Sequence, residues 1–298
     1  MEKLFGNRLF KMTLPILIPT RNRPAILRRT LDELRARGFS EHPLLVYDDA
    51  SDDPGAIVEV VSTWPGSRLI RAETRAGQAK GRNRLMREAG SEYALFLDDD
   101  SWPESHAAII NALEVVRKDA LPVATFQYRS LADGKLSVPA KQGRSKAASF
   151  LGGASLFHVP TVLSVGGYRD CFVYGYEEPE LSMRLWLAGH RIEYLPGVIV
   201  LHNHFELPSE KRDYREYDYL YARNGILMSS LNMPWWFGLS HGLVRSFRRS
   251  IYRRRCVWPK IRGTLSGVWL SLTLWKERNP CSIRQALEWC RFSRDHSR

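Results

Sequence analysis

The sequence predicts an α/β protein, a mostly parallel sheet with helices on both faces. Three observations predict it. Short apolar runs of strand length alternate with amphipathic stretches of helix length along residues 14–100. Several of those runs end in polar or acidic residues, as strands do when their carboxyl ends face a ligand. The composition, 44% hydrophobic and 26% charged over 298 residues, is that of a folded chain able to bury a core.

In order, residues 14–20 form an apolar run closed by the turn Arg21-Asn22-Arg23-Pro24. Residues 25–37 carry Leu27, Leu31 and Leu34 on one helical face and stop at Gly38, the position after a helix that glycine favours. A second strand, 43–47, runs into Asp48, Asp49, Asp52 and Asp53. Then follow a helix over 56–64, a strand over 68–72, a glycine turn at Gly77 and a helix over 80–89. Strand 93–97 ends in Asp98, Asp99 and Asp100, and Ser101-Trp102-Pro103 turns the chain into a helix over 104–118 and a strand over 122–128. Residues 130–146 are polar and weakly patterned, as lids and acceptor-contacting loops are. Gly152 and Gly153 then let the backbone pass close to a ligand or a neighbouring strand.

The acids carry the functional signal. Like charges crowded at a strand end raise one another's pKa and weaken the fold unless a cation, basic groups or water compensates. A divalent metal with oxygen ligands, open on one side to a phosphate, is the simplest compensation for Asp98–Asp100; a solvated turn whose acids cap the next helix is the alternative. Sheet topology gathers Thr20, Asp48 and the three aspartates on one rim. A second cluster holds Glu177, Glu178 and Glu180 around Pro179. Apolar residues at 181, 185 and 187 predict a helix from Pro179, with Glu180 as an acid of its first turn and Glu177 and Glu178 in the preceding turn, able to reach a cleft. Residues 197–205 read as a strand ending in His202 and His204.

The formal net charge of +12 favours anionic partners without choosing among them. Four cysteines, at 171, 256, 281 and 290, have neither paired metal spacing nor a disulfide framework, which predicts a reducing compartment. Residues 1–12 lack the apolar core of a signal peptide, and the apolar stretch 265–275 is shorter than the roughly 20 residues a membrane span needs. The expectation is a cytoplasmic protein. Between Arg245 and Arg262 lie eight Lys or Arg residues and no acid, with Val244, Phe247 and Ile251 at helical spacing. This basic amphipathic pattern predicts peripheral docking on an anionic membrane surface, the inner face of the cell membrane.

Four segments carry a family resemblance: Ile18-Pro19-Thr20-Arg21-Asn22-Arg23, Asp48-Asp49-Ala50-Ser51, Gly77 through Arg82-Asn83, and Leu97-Asp98-Asp99-Asp100. In this order and spacing, residues 13–225 resemble the family 2 glycosyltransferases, in particular those of bacterial surface polysaccharides. The resemblance implies the GT-A fold, a nucleoside-diphosphate sugar donor, Mn²⁺ or Mg²⁺, and inverting transfer to a saccharide or lipid-linked saccharide. It divides the chain into a tail (1–12), a nucleotide-binding half (13–100), an acceptor and catalytic half (101–225) and a basic helical extension (226–298). Pro19, Thr20, Arg23 and Asp48 would contact the donor nucleotide, with Thr20 and Asp48 on base and ribose. Arg82 would lie near the diphosphate, and Asp98, Asp99 and Asp100 would form the donor and metal site, with Asp98 and Asp100 as metal ligands. Glu178 would be the general base with Glu177 in reserve, and His202 a third metal ligand ahead of His204. Gly81 stands where the family usually has alanine.

Two acidic clusters suit this chemistry, because the departing diphosphate must be neutralised and the incoming hydroxyl must lose its proton on the opposite side of the sugar. A sugar nucleotidyltransferase would also use acids and metal, but it calls for a glycine-rich, lysine-containing phosphate loop, and residues 19–24 contain no glycine. A non-catalytic nucleic-acid- or membrane-binding protein would use the arginine run and leave both acidic clusters unexplained; no nucleic acid is expected.

Overall fold

The computed structural model describes residues 14–137, 143–203, 214–252 and 257–296. Strand β1 (Ile16–Thr20) is fully buried. Helix α1 (Pro24–Ala36) follows, its proline in the first turn where no amide partner is needed. Next come β2 (Leu44–Asp48), α2 (Pro54–Ser62), β3 (Arg68–Arg71), α3 (Gln78–Glu88) and β4 (Tyr93–Leu97). Asp53 caps α2 by accepting from the Ala56 amide at 3.1 Å. The second half runs β5 (Ser101–Pro103), α4 (His106–Lys118), β6 (Val123–Ser130), β7 (Ser145–Ala147), β8 (Ala154–His158), α5 (Val159–Ser164), α6 (Glu177–Leu187) and β9 (Ile192–His202). Four helices close the chain: α7 (Tyr214–Asn232), α8 (Trp235–Tyr252), α9 (Val257–Thr273) and α10 (Ile283–His296).

The strands form one sheet in the order β3-β2-β1-β4-β8-β6-β9-β5, with β7 on β9. The part built from the first hundred residues, β3-β2-β1-β4, is parallel as expected. Beyond it the sheet is mixed. Ala154 at the start of β8 pairs with Leu97 at the end of β4, so β8 enters at the acidic rim and runs away from it, antiparallel to β4 and β6. β6 and β9 are parallel, and β5 and β7 run against β9.

The alternation within β1 sends Ile16 and Ile18 to one face and Leu17 to the other. The first face buries Leu27, Leu31 and Leu34 of α1, Ile57 and Val60 of α2, and Ile109 and Leu113 of α4. The second buries Leu85 and Met86 of α3 with Leu181 and Leu185 of α6. Each such side chain contributes about 1.5–3 kcal/mol of burial.

A third cluster joins α6 to the last helices through Met183, Leu227, Leu231 and Trp289. α9 meets α7 through small residues: a Cβ at Gly267 would lie 2.7 Å from the Arg223 carbonyl oxygen, and one at Gly263 would strike that of Tyr219. α8 approaches α7 likewise, with Gly242 against the Ile226 backbone. Helix α7 passes without interruption through residue 225, where the sequence suggests a division between domain and extension.

One local expectation is corrected. Helix α6 starts at Glu177, so Glu177 and Glu178 occupy its first turn and not a loop before Pro179; Tyr176, in the left-handed region at φ 72°, makes the sharp entry. Glu180 lies in the first turn as expected, where it is fully buried and ion-paired to Arg169 and Arg184, both at 2.8 Å or less. After β6 the chain folds back on itself, the Ser137 amide bonding the Tyr128 carbonyl at 2.9 Å; residues 138–142 of the expected lid lie outside the described residues, as does His204.

Candidate active site at the carboxyl ends of the strands

A cleft of about 610 Å³ opens where β1, β2, β4 and β9 end, facing the first turn of α6 and one side of α7. Pro19, Thr20, Arg23, Arg82, all three aspartates of 98–100, Glu177, Glu178 and His202 line it, so two clusters nearly eighty residues apart in sequence share one cavity.

Asp98, Asp99 and Asp100 point in different directions. Asp99 is buried and faces the α1 side, accepting from Thr20 Oγ1 at 2.7 Å and Arg23 Nη1 at 3.1 Å. Burial, opposed by Arg23, pushes its pKa up to about 7. Thr30 of α1 donates to the Asp99 carbonyl at 2.7 Å and pins the backbone there. Asp98 and Asp100 flank it and turn toward the cleft. Asp100 Oδ1 lies 3.0 Å from His202 Nε2, brought there by the pairing of Ser101 with His202 between β5 and β9. Asp98 accepts from Arg82 Nη2 at 3.0 Å and from the Tyr128 hydroxyl at 2.9 Å. The Tyr128 ring also stacks on His202, centroids 4.3 Å apart, so one residue orients two neighbours.

Asp98, Asp100 and His202 can each aim one ligand atom within 4.8 Å of the others, forming the one such group among the described residues. Two carboxylate oxygens and an imidazole nitrogen fit a divalent cation, with Mn²⁺ accepting the nitrogen as readily as Mg²⁺ accepts the oxygens.

Arg82 is 2% exposed and connects the two clusters, Nη1 donating to Glu178 Oε1 at 2.9 Å and Nη2 to Asp98. Burial works against its charge, and Tyr168, Asp98 and Glu178 outweigh it, holding the guanidinium above its ordinary pKa. Glu177 is the more enclosed of the glutamates. Burial first and the Glu178 charge second raise its pKa to about 8, and its Oε2 has no hydrogen-bond partner among the described residues. Glu178 keeps access to the cleft.

The glycine pair resolves into a functional position. A Cβ at Gly153 would collide with the Asp98 carboxyl group, and one at Gly152 with the Arg82 guanidinium. Gly81, the departure from the family's usual alanine, is also closely occupied: a Cβ there would lie 2.5 Å from Cδ1 of Tyr47, a cleft-lining ring.

At the second strand the expectation shifts by one residue. Asp48 does not line the cleft; it is fully buried, and its carboxylate is bonded to the Ser51 amide at 3.0 Å and to the Ser51 hydroxyl. Asp49 does line the cleft, and it accepts from the amides of Ala76 and Gly77 at 2.7 and 3.0 Å. Sequence reasoning also missed Tyr128, Tyr217 and Tyr221. The last two stack at 4.3 Å on the α7 wall. The turn before α6 hangs from that helix, Asn224 donating to the carbonyls of Tyr174 and Gly175 at 2.9 and 2.7 Å.

The fold is that of the GT-A class: the structure superposes on that of GalNAc-T7 with UDP, GalNAc and Mn²⁺ with a TM-score of 0.61 at 16% identity, covering 81% of this chain and 51% of the other. Residues 16–161, just under half of the chain, match the model of glycosyl transferase family 2. Similar curated proteins include an uncharacterized glycosyltransferase of Haemophilus influenzae, 32% identical over 103 residues, and the amylovoran biosynthesis glycosyltransferase AmsB of Erwinia amylovora, 34% identical over 92 residues. The aligned stretches cover 34% and 29% of this chain, and 34% and 31% of those relatives, so the chain matches about a third of their length.

Proposed function

We propose that the protein is a metal-dependent, inverting glycosyltransferase that moves a sugar from a nucleoside-diphosphate donor to a hydroxyl of a saccharide or lipid-linked saccharide in cell-surface glycan synthesis. The observation that carries this reading is the convergence of the Asp98-Asp100-His202 group and the Glu177-Glu178 turn on one cleft, bridged by Arg82. A relative named for amylovoran biosynthesis and a neighbour crystallised with UDP, GalNAc and Mn²⁺ support the same reading.

In this proposal Pro19, Thr20, Arg23, Asp49 and Tyr47 border the nucleotide. Asp98, Asp100 and His202 would hold Mn²⁺ or Mg²⁺, which would supply positive charge to the departing diphosphate. Asp99, held by Thr20 and Arg23, fixes the backbone that presents its two neighbours. Tyr128 orients Asp98 and His202 together. Glu178 takes the proton of the acceptor hydroxyl, while Glu177 beside it keeps its own proton near neutrality. Attack opposite the leaving group inverts the anomeric carbon. Among the described residues no helix is long and apolar enough to cross a membrane. The segment from Arg245 to Arg262 would hold the protein on an anionic membrane face, the cytoplasmic one in this reading.

Thermal unfolding against UDP, dTDP, GDP, ADP and CDP, with and without Mn²⁺, tests the donor site. A nucleotide at about a hundred times its dissociation constant adds roughly 2.7 kcal/mol. A metal-dependent rise in Tm with one nucleotide is expected and names the donor class; a folded sample that responds to none overturns the reading.

A further inference from the structure

The outer face of α9 is built the wrong way round for a water-facing helix. Its inward positions are Lys260, Gly263, Gly267 and Ser271, while Trp258, Ile261, Leu265, Trp269 and Leu272 are each 43–68% exposed. At 100° per residue those five fall within a stripe about 80° wide, opposite the small residues. Trp235 and Trp236 at the start of α8, and Trp275 just past α9, are at least half exposed as well. Five of the nine tryptophans of the chain are therefore half exposed or more, whereas Trp64, Trp102 and Trp289 are buried.

Charge identifies what covers the stripe. Between Asp218 and Glu277 the chain has ten Lys or Arg residues and no acid; of these, Arg223 and Lys260 pack inward, Lys260 against Asp218, Arg253–Arg255 lie outside the described residues, and Arg262 and Lys276 are exposed. Arg262 is exposed on α9 beside Trp258 and Leu265. A second copy of this chain would bring like charges together, while a surface with anionic headgroups over an apolar interior meets both the basic residues and the indoles, whose rings favour that boundary.

We propose that the α9 stripe is the face on which the protein lies in an anionic bilayer, its indoles in the headgroup region and its arginines at the phosphates. This deepens the membrane reading given above: it rests on that reading for an anionic surface, and it locates the inserted face on α9, where the sequence pointed to the apolar positions Val244, Phe247 and Ile251 of α8. The face lies directly behind the cleft. Helix α7 offers Tyr217 and Tyr221 to the cavity and packs Tyr219 and Arg223 against the inner face of α9, so α9 and α7 together separate bilayer and active site.

The test is co-flotation of the full chain with vesicles of phosphatidylcholine, with or without an equal part of phosphatidylglycerol, alongside quenching of tryptophan fluorescence by brominated acyl chains. Wild type is expected to float only with the anionic vesicles and to be quenched. The triple variant Trp258→Ser, Leu265→Ser, Trp269→Ser should bind at least about tenfold more weakly with an unchanged Tm, because all three positions are exposed. Trp258→Tyr with Trp269→Tyr should keep binding, which separates loss of the interface from loss of fold. Equal binding by the triple variant, equal binding to uncharged vesicles, or a wild-type dimer that the triple variant dissociates would each overturn the proposal. Nucleotide-dependent Tm shifts on the same samples keep the two readings apart: a lost shift with intact flotation overturns the donor site alone, and an intact shift without flotation overturns the docking face alone.

Discussion

Arg82 holds Glu178: its Nη1 donates to Glu178 Oε1 at 2.9 Å while Nη2 reaches Asp98 at 3.0 Å. The proposed base is thereby tied to one acid of the Asp98-Asp100-His202 group. Both terminal nitrogens are engaged with acids, so Arg82 acts on the diphosphate, the role the family resemblance implies, only by exchanging one of these partners. Arg82→Ala leaves two carboxylates without their cation in a largely enclosed place and is expected to lose about 3–5 kcal/mol of stability. Chemical denaturation measures it; a loss under 1 kcal/mol, a surface ion pair's worth, would show that the bridge does not hold the clusters together.

The two glutamates should separate cleanly. Glu178→Gln is expected to lower transfer by about 10²–10⁴ with nucleotide binding retained, and Glu177→Gln to leave most activity in place, since a neutral amide resembles a carboxyl that is already protonated. Steady-state transfer assays on both variants decide the assignment, and the reverse ranking would exchange the two roles.

Glu177 also sets a pH dependence of stability. Its folded pKa of about 8 lies above the ordinary 4.5, so the folded state binds the extra proton across that window. Its contribution is full below about pH 4.5 and declines as pH rises toward 8. Glu177→Gln should flatten this decline in a series of melts across the window; an unchanged slope would mean that another group causes it.

Asp100→Asn is expected to abolish transfer and the metal-dependent nucleotide shift with the fold intact, and His202→Ala to weaken the shift. Calorimetric titration with Mn²⁺ in the presence of nucleotide reads both, and full metal affinity in Asp100→Asn would remove that residue from the group.

Gly81→Ala tests the departure at α3. The added methyl must displace the Tyr47 ring from the cleft wall, an overpacking expected to cost about 1–3 kcal/mol. It should also weaken nucleotide binding; a variant with full affinity would show that Tyr47 does not border the nucleotide.

Much of this was readable in advance, for reasons that differ by residue. Apolar strands ending in acids are a local pattern, so β1, β2 and β4 and the rim formed by Thr20 and Asp98–Asp100 could be read without coordinates. The choice between Asp48 and Asp49 could not, because it turns on which of two adjacent acids is enclosed with Ser51 and which meets the amides of residues 76 and 77. Tyr128 carries no motif, and its value lies in a stacking partner on another strand. The glycine pair was visible, but what it makes room for, Arg82 and Asp98, comes from elsewhere in the chain. The α9 stripe overlaps the apolar stretch 265–275, which the sequence marks only as too short for a membrane span; that its small residues face inward is decided by packing.

Asn224 and Arg223 give the last helices a part in how the turn that leads into Glu177 and Glu178 is held. Asn224 suspends the carbonyls of Tyr174 and Gly175, and Arg223 Nη2 holds that of Cys171 at 2.9 Å, just ahead of Glu177 and Glu178. Both residues sit on α7, which is itself clasped by α8 and α9. Like a keystone, α7 transmits load in two directions: whatever shifts the outer helices would shift the turn. A chain shortened to its first 225 residues would keep every carboxylate of the site and lose the support that aims two of them.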